Sequence, residues 1–106
     1  MSDQDDKKAA HQALVDRVRN GAGTTTAQQR ACAFDNAGLP APVDTLVDKV
    51  ATRPTQVTDA DFAAARSAGY RDDQVFELVV AAAVGQSARM YAAGLAALAD
   101  ATGKAE

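Results

Sequence analysis

The chain has 106 residues, 14 acidic against 11 basic side chains for a net charge of −3, an aromatic content of only 5% and no Trp. That length suits one domain with a modest core, and the charges are interspersed, without the concentrated Lys/Arg surface that phosphate recognition requires, which argues against nucleic acid as a partner. The core must come from Leu, Val and above all Ala, whose small side chains bury little area each and favour close packing of helices and of subunits.

The opening Met1-Ser2-Asp3-Gln4-Asp5-Asp6 is acidic, the reverse of the basic-then-apolar order of a secretory signal. Asp5-Asp6-Lys7-Lys8 reads as a solvated terminus. Residues 1–8 and 103–106 are therefore expected to be disordered tails around a single helical domain over 9–102. The longest apolar stretch, Val75 to Gly85, is interrupted by Glu77 and falls short of the roughly 20 residues that span a bilayer. The single Cys32 cannot form an intrachain disulfide, in keeping with a reducing compartment. A cytoplasmic protein without a membrane partner is the expectation.

Five helical segments follow from period and punctuation, and no run has the alternation of a strand, so the chain should be all-α. The first helix is read from about Ala9 to Asn20, with Ala10, Leu14, Val15 and Val18 as its apolar stripe and Asn20-Gly21 as a stop. Thr25 with Gln28, or Thr26 with Gln29, has capping-box spacing for a second helix ending near Gly38, with Ala27, Ala31 and Phe34 on one face. Leu39-Pro40-Ala41-Pro42 enforces a turn, and Pro42 suits the first turn of a third helix. There Val43, Leu46, Val47 and Val50 make the strongest amphipathic stripe in the chain, and Pro54 stops the helix by Arg53.

The fourth helix has Thr58 as N-cap, Asp61 as the reciprocal carboxylate and Val57 with Phe62 at staple spacing; Gly69 fits a left-handed stop after Ala68. The fifth opens with Asp72 and Asp73, suited to the positive end of the helix dipole, and could run to about Asp100. From Val75 to Val84 only Glu77 is polar, so this helix, Ala-rich and apolar nearly all round, is expected to be buried in the interior or in an interface. Gly85-Gln86-Ser87 reads as a kink, and Gly85, Ala88, Ala92, Ala93, Gly94, Ala96 and Ala97 permit close helix approach.

The order Val57-Thr58-Asp59-Ala60-Asp61, then Ala68-Gly69-Tyr70-Arg71-Asp72-Asp73-Gln74-Val75-Phe76-Glu77-Leu78-Val79, resembles the carboxymuconolactone decarboxylase and alkylhydroperoxidase D superfamily, most clearly from Val57 to about Leu98. The resemblance implies a compact bundle of about five helices with a long C-terminal packing helix, and assembly into trimers or hexamers. In the redox-active branch a Cys-x-x-Cys-x-x-x-His motif precedes the glycine. Counting back from Gly69 puts Pro54, Val57 and Asp61 at those positions. A peroxidatic cycle needs an attacking thiolate and a resolving thiol, and none of these three side chains supplies either.

Cys32, the sole thiol, has Gln28, Gln29, Asp35 and Asn36 as its helical neighbours, which leaves two readings: an exposed reactive group or a small packing residue. His11 shares a face with Leu14, Val15 and Val18 and reads as structural or solvent-exposed, since no cluster of His, Cys and carboxylates has metal-ligand spacing. Glu77 must reach solvent, find a cation among Arg30, Arg66 and Arg89, or line a pocket. Arg89 and Tyr91 either bridge subunits or hold an anionic ligand. The leading expectation is a non-catalytic homo-oligomer with a structural or partner-binding role and neither metal nor cofactor. The alternatives are a cofactor-free, decarboxylase-like lyase in which Glu77 and Arg89 handle a small carboxylate, and a binder of small apolar ligands.

Overall fold

The computed structural model describes residues 3–103, with side chains from residue 5; Met1, Ser2 and the end of the second expected tail, 104–106, lie outside that range. The described chain is all-helical. Its elements are α1 (Asp3–Asn20), α2 (Ala27–Asp35), α3 (Val43–Thr52), a 3-10 turn (Pro54–Gln56), α4 (Asp59–Ser67) and α5 (Asp72–Ala101). α1 begins at Asp3, so residues 3–8, read from the sequence as tail, continue the helix with their described side chains exposed.

Local chemistry accounts for most of the boundaries. Thr26 and Gln29 close a full capping box at the start of α2: Gln29 N donates to Thr26 Oγ1 and Thr26 N to Gln29 Oε1, both at 3.0 Å. The helix stops at Asp35, earlier than the expected Gly38, because Asn36 takes a left-handed φ of 54° and ties its amide to Asp48 at 3.0 Å. Pro42, reached through a cis peptide from Ala41, is the N-cap of α3. At α4, Asp61 accepts from Thr58 N at 2.8 Å and from Lys49 Nζ at 3.0 Å, so one carboxylate both caps α4 and ties it to α3. Gly69, at φ +101°, follows α4 in the left-handed conformation expected there.

The core lies where α2 and α3 meet the first half of α5. Leu46, Val43 and Val47 from α3 face Leu78, Ala81 and Ala82 from α5, with Ala33, Ala65 and Val75 completing the cluster. Burying one such Leu or Val contributes about 1.5–3 kcal/mol, and there are few of them. Ala and Gly compensate by letting helices approach closely: a Cβ placed on Gly85 would fall on the carbonyl of Phe34, so α5 touches the backbone of α2 there. α5 continues through Gly85-Gln86-Ser87 as one 30-residue helix. At 1.5 Å per residue it is about 45 Å long, close to the 51 Å long axis of the molecule.

α1 runs antiparallel to α5, with Val18 sharing a cavity with Val80 and the His11 ring 4.7 Å from that of Tyr91. The expectation that α5 is buried throughout holds within the chain only for its first half. No residue from Gln86 to Ala101 is buried, and Met90 and Leu98 are 64% and 55% exposed. Even the first half has a solvent side, at Phe76 and Ala83. α1, at 18 residues against 30 and with exposed, charged residues such as Lys7 and Lys8 in its first turns, does not cover a helix of that length. By length and composition alone, α5 is also the one helix among the described residues that could cross a membrane.

Candidate functional site

Glu77 lies one turn into α5, where it meets the loop between α1 and α2. Its Oε2 accepts from Thr24 N and Thr24 Oγ1, both at 2.7 Å, and its Oε1 from Thr25 N at 2.9 Å and Thr25 Oγ1 at 2.6 Å. Two hydroxyls and two amides thus enclose both oxygens. Gly23 makes the approach feasible, since a Cβ there would stand 2.7 Å from Oε1. These donors, the Thr25 hydroxyl foremost, favour the ionised form over the opposing effect of desolvation and bring the Glu77 pKa down from 4.5 to about 2. The partners are therefore Thr residues, not Arg30, Arg66 or Arg89 as the sequence suggested. Capping spacing points Thr25 to a different role; the signal for the role of Thr24 and Thr25 here is the run Gly21-Ala22-Gly23-Thr24-Thr25-Thr26, a glycine-loosened loop rich in amides and hydroxyls that can converge on an anion.

The three arginines go elsewhere. Arg66 pairs with Asp72 at 2.7 Å on the surface. Arg89 Nη1 donates to the Phe34 carbonyl at 2.7 Å, and its Nε and Nη2 donate to Gln86 Oε1 at 3.3 and 3.1 Å. It thereby satisfies a carbonyl left open in the last turn of α2. Glu77 and Arg89 are twelve residues apart on one helix, about 18 Å along its axis, and each is engaged by different neighbours. The structure does not bring them together as an acid/base and anion-binding pair. Arg30 is buried, with Nη1 3.3 Å from the Val18 carbonyl.

Cys32 is half-buried and lines a cleft of about 170 Å³ with Gln29, Leu39, Pro40 and Tyr70. The residues lining that cleft include no second thiol and no basic side chain. His11 and Tyr91 meet at a tilt of 42° beside a wider cleft of about 490 Å³ between α1 and α5, where Arg19 leans over the Phe34 ring at 5.0 Å. Among the described residues no group of three His, Cys, Asp or Glu is placed to hold a metal ion.

The segment that carries the redox motif in the superfamily the sequence resembles has a packing role here. Pro54 opens the 3-10 turn, Val57 packs against the core, and Asp61 bridges Lys49 and Thr58. The amide of Thr58, then Lys49, hold the Asp61 carboxyl below its ordinary range. The fold and this site define an all-helical bundle whose polar centre is a threonine-held carboxylate. No family model, curated protein or solved structure matches the chain.

Proposed function

We propose that the protein is a non-catalytic, homo-oligomeric helical module that assembles through the second half of α5, in a structural or partner-binding role. The resemblance to the carboxymuconolactone decarboxylase and alkylhydroperoxidase D superfamily, with its trimers and hexamers, is part of this proposal. The observation that carries it is the solvent-facing apolar surface from Met90 to Leu98, with Ala93, Gly94 and Ala97 between them. Exposed apolar surface of this extent favours association, and small side chains let two backbones approach closely. The non-catalytic half of the reading rests on Glu77 and Arg89, the two groups best suited to chemistry, both being spent on internal contacts.

A bilayer would satisfy the same surface. Against it stands the first half of the helix, where Leu78, Ala81, Ala82 and Gly85 are packed in the protein's own core and would have to leave it. Size-exclusion chromatography with light scattering at micromolar concentration should give an oligomer, and Leu98→Asp with Met90→Asp should convert it to monomer. A monodisperse wild-type monomer, or flotation with neutral phosphatidylcholine vesicles, overturns the proposal.

A further inference from the structure

We propose that the cavity of about 180 Å³ between α1, the α1–α2 loop and the first turns of α5 binds a small amphiphilic monocarboxylate, head group against Arg30 and hydrocarbon on Val18, Phe76 and Val80. Arg30 lines this cavity and is 7% exposed, yet among the described residues it has no ion pair. Of its five N–H donors one is engaged, by the Val18 carbonyl at 3.3 Å, and its buried Nε has no partner. A guanidinium placed so deeply without a countercharge is unfavourable, and a carboxylate is the planar anion that its fork fits.

Charge and surface narrow the ligand further. Arg17, a second cation without an ion pair among the described residues, lines the same cavity, as does Glu77. Glu77 is held from the loop side through both of its oxygens and forms no ion pair with Arg30. Two cations against one carboxylate leave one net positive charge, which matches a monoanion. The remaining walls are apolar, and Phe76 stands 67% exposed at the same cavity, an aromatic surface open to solvent. An inorganic oxyanion would leave that surface wet. The volume suits a tail of a few carbons.

Titration of the full chain with hexanoate, followed by calorimetry and by amide chemical shifts, tests this, with hexanol and inorganic phosphate as comparison ligands. Hexanoate should bind and perturb the amides around Val18, Arg30 and Val80, with hexanol and phosphate each at least about tenfold weaker, the loss expected when a charge-assisted hydrogen bond or the apolar contact is removed. Arg30→Met, similar in length and free of the buried charge, should fold at least as well as wild type and weaken hexanoate by about tenfold or more. Phe76→Ala, at an exposed position that leaves the fold intact, should weaken hexanoate and leave the response to phosphate unchanged. Equal affinity for hexanoate and hexanol, tighter binding of phosphate, no binding of hexanoate at millimolar concentration, or unchanged hexanoate affinity in either variant overturns the assignment.

Discussion

From Asp72 to Gly85 the long helix passes between α2 and α3, buries Val75, Leu78, Ala81 and Ala82, and receives the α1–α2 loop on Glu77. From Gln86 to Ala101 the same helix, richer still in Ala and Gly, buries nothing. More small residues do not by themselves bring burial; partners do. Small side chains are an asset only where another backbone is close enough to use the space, as Phe34 uses the space at Gly85. Where none is near, they leave a smooth apolar surface that gains only by meeting another molecule.

The contrast can be broken at Gly85 first. Gly85→Ala drives a methyl group into the Phe34 carbonyl and should cost about 3 kcal/mol, the upper end for overpacking, whereas Gly94→Ala, with open space around it, should be neutral or stabilising by a few tenths to about 1 kcal/mol through helix propensity. Chemical denaturation of the two variants side by side reads this directly. Equal effects would mean that the halves are not different after all.

Glu77 comes next. Glu77→Gln keeps the shape of the side chain, removes its charge and sets its NH2 against one backbone N–H, for an expected loss of about 2 kcal/mol. The pH dependence has a defined sign: because the folded pKa is depressed from 4.5 to about 2, the stabilisation is complete above about 4.5 and is lost as pH falls toward 2. Denaturation midpoints of wild type should decline across that window, and those of Glu77→Gln should decline less. Arg89→Ala, which frees the Phe34 carbonyl, should cost about 1 kcal/mol. Smallest of all, Leu98→Ala should change the stability of the isolated chain by no more than about 0.5 kcal/mol, as for other surface positions, measured at a concentration where light scattering shows monomer.

What could be read in the residues was local and periodic. The stripe of α3, the Thr26–Gln29 box, the Thr58–Asp61 cap and the opening of α5 at Asp72 all depend on neighbours within four positions, and all appear as anticipated. The early start of α1 was hidden because its first residues are charged and their helicity depends on weak propensity, not on burial. The candidate site was harder still. Glu77 stood out as a carboxylate in an apolar run, but its partners lie 52 and 53 positions away, and charge pairing pointed to arginines when the donors were hydroxyls and amides. Nothing in periodicity reports such a contact. Arg30, midway along a polar-looking α2, is a different case: its spacing from Ala33 and Phe34 does place it on the inner face, but its charge argued the other way.

The distance in sequence between Glu77 and the threonines bears on how the chain assembles in time. α3, the 3-10 turn and α4 are joined by contacts such as Lys49 with Asp61, only 12 residues apart, and can be made as soon as those residues exist. The closure that brings the α1–α2 loop to Glu77 spans more than four times that separation and requires the first turns of α5 to be in place, so its entropic cost falls late on the folding path. Until then α1 is held only by α2, through Val18 with Arg30 and Arg19 with Phe34. A chain interrupted before residue 77, by truncation or by a slow step in synthesis, would keep the Lys49–Asp61 link between α3 and α4 and leave α1 with its α2 contacts alone.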